Sequence, residues 1–350
     1  MKRLQDLLRI EFPVFQAPMA GSQLHELALA TSEAGGLGCL PCALLSPAQA
    51  REQLGLLRAG TRKPIAVNFF SHQPPQPDAA REAAWKQLLK PYYVELGVDF
   101  DAPTPVSSRQ PFDLAACELV EAFRPEVVSF HFGLPAPELL ARVKATGACI
   151  LSSATTPAEA RWLAARGVDG VIAQGAEAGG HRGVFLGEEV DTQMGLFSLL
   201  PQIVDAVDVP VIAAGGIAEP RAVHAAMALG ASAVQVGTAY LFTPEARPTP
   251  AHRAALASDA AEVTALTRLF SGRPARSIVN RLMRELGAMN PVAPAFPLAG
   301  GALMPLRAVA DGDFGQLWSG QSARLARRDL DAAGLTRWFG EAALAATAPQ

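Results

Sequence analysis

Val171-Ile172-Ala173-Gln174-Gly175-Ala176-Glu177-Ala178-Gly179-Gly180-His181-Arg182-Gly183 joins an uninterrupted apolar run to a glycine-rich turn. The apolar residues read as a strand buried on both faces, because a half-exposed strand would alternate with polar side chains. Four glycines within residues 174–183 let the backbone pass close to a ligand where side chains would collide. Among them sits His181, whose side chain has an unperturbed pKa near neutrality. Glycines that admit a ligand and a group that can act on it mark this turn as a place for chemistry.

Working outward, the same unit recurs. Apolar runs predict strands at 14–18, 38–41, 65–69, 127–131, 149–153, 170–174, 211–214 and 233–237. Amphipathic stretches such as 24–34, 157–165 and 222–229 separate most of them. Eight such repeats over about 250 residues predict an α/β fold, a (β/α)8 TIM barrel. A doubly wound sheet is the alternative. Its one fingerprint-like segment, Gly35-Gly36-Leu37-Gly38, precedes a strand and so lies on the wrong side of it.

Two regions break the repeat. Residues 71–110 are rich in Pro, Gln and Asp, with a helical patch at 79–89, and read as a helical insertion. After Phe242 no further strands are expected: 251–289 reads as mostly helical, and two more helical segments run to about residue 346. The division is therefore a barrel over 1–245, with its excursion at 71–110 joining a lid. A C-terminal helical subdomain over 246–350 would cover the active-site mouth. Residues 345–350 read as a frayed end.

Composition narrows the function. Half of the 350 residues are hydrophobic and the formal net charge is −3, with a sequence pI near 6.1. That leaves no basic footprint for nucleic acid and no polybasic membrane patch. The N-terminus carries acid and base within its apolar stretch, and no run approaches transmembrane length. Cys39, Cys42, Cys117 and Cys149 are too scattered for a disulfide framework, and Cys39-Leu40-Pro41-Cys42 reads as small residues closing a strand. A cytoplasmic protein, monomeric or homodimeric, is the expectation.

In a barrel of this kind, function gathers at the C-terminal strand ends. Gly215-Gly216 ends the seventh predicted strand and Gly237-Thr238 the eighth. Their backbone N–H groups can converge on a phosphate, helped by a helix N-terminus. Asn68 and Gln174 are amides placed after apolar strand residues, with donors and acceptors suited to an isoalloxazine or pyrimidine edge. A buried amide tying down its own loop is an equal alternative for either one alone. Together with the phosphate turns they favour flavin mononucleotide. His181 is the candidate general base, with no second histidine at metal-ligand spacing and no nucleophile motif, so no metal is expected. His131 either orients substrate or fills the barrel mouth, and His72 is a weaker candidate for lining the site. His25, His224 and His252 fall on helical stretches and read as solvated. Arg182 and Arg307 are arginines that could meet an anionic substrate.

These segments together resemble the nitronate monooxygenases, FMN-dependent TIM-barrel enzymes. The resemblance rests on 16–21, 67–70, 129–133, 173–183, 213–217, 235–238, 271–276 (Ser-Gly-Arg-Pro-Ala-Arg) and 318–321, and so covers nearly the whole chain. It implies that His181 is the catalytic histidine. It implies that Met19, Asn68, Gln174, Gly179, Gly180, Gly215, Gly216, Gln235, Gly237 and Thr238 surround FMN. His131 and Phe296 would lie on the substrate side. The implied activity is oxidation of alkyl nitronates, and of nitroalkanes after proton removal by the histidine. One-electron transfer to flavin and reaction with O2 would yield carbonyl compounds and nitrite, a detoxification chemistry. Family members carry tyrosines and a lysine near the substrate, partly in the segment matching 294–307, where this chain has Phe296-Pro297-Leu298-Ala299-Gly300-Gly301-Ala302. Flavin-dependent NAD(P)H reductases of the enoyl-acyl-carrier-protein and quinone types have a similar Glu-Ala-Gly-Gly-His segment and are the alternative. A flavin-binding protein without turnover is a third.

Overall fold

The computed structural model describes residues 4, 8–106, 109–187 and 189–347. At its centre are eight parallel strands: β1 (Val14–Gln16), β2 (Gly38–Pro41), β3 (Ile65–Phe70), β4 (Val127–His131), β5 (Cys149–Ala154), β6 (Gly170–Gln174), β8 (Val211–Ala214) and β9 (Ala233–Val236). The short β7 (Gly180–His181) lies outside this set. The eight pair in the order β1-β9-β8-β6-β5-β4-β3-β2. A parallel bridge between Phe15 and Leu37 joins the two ends. The sheet is a TIM-like barrel, with strands within about two residues of those predicted from the apolar runs.

Helices α1 (His25–Glu33), α2 (Pro47–Gly60), α3 (Ala79–Glu95), α4 (Leu114–Phe123), α5 (Pro137–Ala145), α6 (Pro157–Ala164), α7 (Leu196–Val204) and α8 (Pro220–Ala228) fall between the strands. Their starts are written locally. Ser46 and Gln49 bond reciprocally ahead of α2, with Pro47 in the first turn. Asp113 caps α4 and Thr156 caps α6 through side-chain oxygens. Such caps contribute about 1 kcal/mol each by satisfying amides that the helix leaves unpaired.

Strand geometry divides the core. Successive side chains face opposite sides of a strand, so Val67, Val128, Ile150, Val171 and Val234 point outward and pack under Leu54, Leu57, Val120, Val143 and Leu200. Ala66, Val127, Leu151, Ile172, Ile212 and Ala233 fill the barrel interior, joined by Leu4, Leu8 and Ile10. That packing closes one end of the barrel and leaves the opposite end, at the strand C-termini, for other use.

The region after Phe242 departs from expectation. It holds β10 (Thr264–Thr267) and β11 (Ala275–Ile278), which pair antiparallel, and β11 pairs in turn with β7. The expected helix over 251–289 is therefore two short helices, α9 (Pro250–Ala257) and α10 (Arg281–Leu286), flanking a small sheet. Four-residue strands show no period long enough to read, and β11 meets its β7 partner about 95 residues away in sequence. Helices α11 (Met304–Val309), α12 (Asp311–Phe314) and α13 (Ala332–Thr347) complete the chain. Residues 345–347, expected to fray, continue α13; 348–350 lie outside the described residues.

The insertion helix α3 buries Trp85, Leu89, Tyr92 and Tyr93 against Leu269, Met283, Ala302, Leu306 and Phe314. Trp85 Nε1 donates to the Ala299 carbonyl (3.0 Å) and the Tyr93 hydroxyl to that of Ala302 (2.6 Å). The excursion and the later segment thus share one apolar core beside the barrel mouth. Among the described residues, no helix is long and apolar enough to cross a membrane.

Candidate active site

The two-residue period that sends Ala66, Val127, Ile172 and Ala233 into the barrel floor sends the next inward positions to its open end. These are Asn68 and Phe70 on β3, Ser129 and His131 on β4, Gln174 on β6 and Gln235 on β9. They line one cleft. The strand-end turns close around it, bringing Met19, Gly179, Gly180, His181, Gly215, Gly216, Gly237 and Thr238 to the same walls. Phe296 lies behind, buried, with its ring 5.4 Å from that of His181.

One end of the cleft is built from main-chain donors. Gly215 (φ +112°) and Gly216 (φ +71°) hold backbone conformations that side chains strain against. The amides of Gly215, Gly216, Gly237 and Thr238 find no acceptor among the described residues. The chain after β9 enters a five-residue 3-10 turn (Thr238–Phe242) instead of an α-helix, so these donors are loop amides. A segment the sequence did not single out for this wall completes it. Gly320 N donates to Thr238 Oγ1 (2.9 Å), Gln321 N donates to the Glu177 carbonyl (3.0 Å), and Ser322 lines the cleft. Gly179 is required here: a Cβ would stand 2.6 Å from Gly320 N.

The two amides differ in what they leave open. Asn68 Nδ2 donates to Ser129 Oγ (2.9 Å) and to the Ser129 carbonyl (3.2 Å), and its Oδ1 has no partner among the described residues. Gln174 is engaged at both ends. Its Nε2 donates to the His181 carbonyl (2.9 Å) and its Oε1 accepts from Gly183 N (2.7 Å). Gln174 therefore holds the glycine-rich turn as well as lining the cleft.

The other end gathers the histidines. His181 is presented by β7, paired with Ala275 on β11. Its Nε2 lies 2.8 Å from Ser271 Oγ. Phe70, Phe132, Phe296 and Trp318 surround it with ring centroids 5.4–6.0 Å away. This apolar setting holds the imidazole well below its ordinary value of 6.5. Burial is the main cause, followed by the charge of Arg109, then His131, Arg273 and His72. His131 Nε2 donates to the His181 carbonyl (3.2 Å) and its Nδ1 meets Ser153 Oγ (3.0 Å). Burial pushes it down to about 4. Both rings are neutral near pH 7, and His131 serves the placement of His181.

The other arginines, histidines and cysteines take varied places, and Arg182 and His252 depart from expectation. Arg182 is fully buried, its guanidinium donating to the carbonyls of Gln174 (2.7 Å) and Gly175 and to Gln193 Oε1. It clamps the turn and cannot greet a substrate. Arg307 pairs with Asp311 (3.6 Å), outside the lining residues. His252, expected to be solvated, is buried in the cleft wall and bonds through Nε2 to the Trp318 carbonyl (2.9 Å). His25 is half-buried against Gln53, and His224 is exposed. His72 packs edge-on against Phe296 (4.7 Å), also held down to about 4 by burial. Cys39 and Cys42 are buried with thiols pushed upward by burial, unsuited to exchange chemistry.

The sequence reading missed Arg109, Phe70, Phe132, Ser271 and Trp318 as site residues. Phe70 was recoverable, since it continues the inward period Ala66, Asn68. Arg109 and Trp318 come from the excursion and from the segment after α12, which no local signal ties to the barrel mouth. Among the described residues, no cluster of His, Cys, Asp or Glu is arranged to hold a metal ion.

Comparison with known proteins agrees with this architecture. The family described as nitronate monooxygenase matches residues 1–337. A nitronate monooxygenase of Pseudomonas aeruginosa is 41% identical over 345 residues, covering 96% of this chain and 97% of its own length. One of Paraburkholderia phytofirmans is 41% identical over 335 residues, covering 93% and 91%. Among solved structures, a nitroalkane oxidase from Streptomyces ansochromogenes superposes with a TM-score of 0.88 at 38% identity, covering 99% of both chains. FabK from Thermotoga maritima gives 0.74 at 26% identity, covering 99% of this chain and 96% of that one. With a match over nearly its full length and full-length relatives at 41% identity, the chain belongs to the nitronate monooxygenase family of flavin-dependent oxidoreductases.

Proposed function

We propose that this protein oxidises alkyl nitronates with FMN seated in the cleft, and accepts neutral nitroalkanes because His181 removes their α-proton. The observation that carries the reading is the polarity of the cleft. Unpaired loop amides and a neutral imidazole in an aromatic box share its walls. The residues fit the group. Gly215, Gly216, Gly237 and Thr238 would hold its phosphate, and Asn68 Oδ1 would accept from a ring N–H. Met19, Gly179, Gly180 and Gln235 would line its length. When bound, FMN supplies the electron-accepting ring through which a nitronate and O2 become a carbonyl compound and nitrite.

The chain's own work is placement and proton transfer. Ser271 accepts from His181 Nε2–H, in keeping with its own hydroxyl contact to the Arg273 carbonyl (3.4 Å). That tautomer leaves the lone pair on Nδ1 for the α-proton. Gln174 and His131 both donate to the His181 carbonyl and fix the ring's backbone. Phe70, Phe132 and Phe296 exclude water, so a carbanion formed there is not readily reprotonated.

The test is a spectrum of the purified protein followed by anaerobic mixing with ethylnitronate and, separately, with NADPH. Flavin absorbance that bleaches with ethylnitronate, and nitrite formed in air, are expected. The segment Glu177-Ala178-Gly179-Gly180-His181, similar to that of flavin-dependent NAD(P)H reductases, supports a reductase as the second reading. Rapid bleaching by NADPH with none by ethylnitronate would establish that instead, and a colourless protein that binds no FMN would defeat both.

A further inference from the structure

The cleft walls carry very little fixed charge. Among the described lining residues, Arg109 is the one side chain that is permanently charged, and no carboxylate lines the space. The arginines near this end, Arg109 included, all hold contacts within the protein. Arg182 is buried on backbone carbonyls. Arg273 stacks 4.3 Å over the Phe132 ring and donates to the Val184 carbonyl (3.1 Å). Arg109 stands where the excursion returns to the barrel. Phe112 N, three residues on, donates to the Phe70 carbonyl at the end of β3 (2.7 Å). One guanidinium nitrogen donates to Gln316 Oε1 (3.2 Å), tying the excursion to the C-terminal segment across the mouth. The wall it occupies adjoins His181, on which its charge outweighs those of His131, Arg273 and His72.

We propose that Arg109 is the substrate-anion receptor of this site, its planar guanidinium taking the two oxygens of a nitronate and so favouring the anion over the neutral nitroalkane. The inference rests on the nitronate-oxidising reading above and adds to it a residue for binding and specificity. The chemistry is a match of shapes. A nitronate spreads one negative charge over two oxygens in a plane, as a carboxylate does, and a guanidinium offers paired N–H donors in a plane. The aromatic rings around His181 raise the worth of that contact by keeping water out. Lysine at this position would keep the charge and lose the fork.

Three forms of the FMN-loaded protein test it: the native chain, Arg109→Gln and Arg109→Lys. Each is assayed with ethylnitronate and with nitroethane, and titrated calorimetrically with nitrate, a planar monoanion that is not turned over. A charge-assisted pair of this kind is worth on the order of 10- to 100-fold in affinity. Arg109→Gln should raise the ethylnitronate KM and the nitrate Kd by that factor, with the ethylnitronate kcat and the nitroethane KM changing far less. Arg109→Lys should fall between. An equal rise in KM for both substrates, or an unchanged nitrate Kd in Arg109→Gln, would overturn the role of Arg109 even with nitronate turnover established. If the native protein does not oxidise ethylnitronate at all, the functional reading fails, while the nitrate titration still decides whether Arg109 is an anion site.

Discussion

The base role proposed for His181 requires an imidazole that is unprotonated before the substrate arrives, and its surroundings favour that state. Burial among Phe70, Phe132, Phe296 and Trp318, with Arg109 beside it, disfavours the imidazolium. Replacing it by asparagine keeps the volume and removes the base. His181→Asn should lower kcat/KM for nitroethane by about 10²- to 10⁴-fold, with flavin still bound and ethylnitronate oxidised at a rate much less affected. Oxygen-electrode assays on both substrates check this; an unchanged nitroethane rate would remove His181 from the chemistry. The pH dependence has a definite sign. Protonation disables the base, and the folded pKa is lowered, so activity on nitroethane should persist as the pH falls below 6.5. An acid limb at or above 6.5 in kcat/KM would show the imidazole to be unperturbed. The types and positions of these residues were readable one by one: His181 from its glycines, Asn68 and Gln174 from their strand ends. What Gln174 does was not, because its bonds to the His181 carbonyl and Gly183 N depend on a turn that only folding shapes.

The glycine-rich turn between β6 and α7 is held both by its own side chains and by one from β11. Arg182 grips the carbonyls of Gln174 and Gly175, Arg276 Nε donates to that of Ala176 (2.8 Å), and the Glu177 carboxylate accepts from Leu196 N (2.8 Å) at the start of α7. An anion at a helix N-terminus is favourably placed. Arg182→Met should strand the two carbonyls and cost about 2–4 kcal/mol in urea unfolding, together with nitroethane activity. Arg307→Met, on a half-exposed pair, should cost no more than about 1 kcal/mol. Equal stabilities for the two variants would refute the clamp. Elements divide in legibility by length and partner distance. The barrel strands were visible because each is an apolar run inside a repeating unit. β10 and β11 were misread as helix because their pairing with each other and with β7 is a tertiary fact.

At the scale of the molecule, the barrel is packed at one end and open at the other, and the cleft is roofed by parts of the chain far apart in sequence. A ligand that binds only the folded state stabilises it by mass action, about 2.7 kcal/mol at 100 times Kd. Adding FMN to the flavin-free chain should therefore raise Tm. Gly216→Ala, forced to hold φ near +71°, should blunt that rise; a full rise in the variant would place the phosphate elsewhere. The sequence by itself determined the barrel and the cluster of glycines at its strand ends, because repeat and composition are local properties. Only the tertiary structure decided that Arg182 is a clamp, that His252 and Trp318 belong to the cleft, and that Arg109 faces it. The places of His252, Trp318 and Arg109 follow from which distant segments pack over the barrel mouth, and no local spacing encodes that packing.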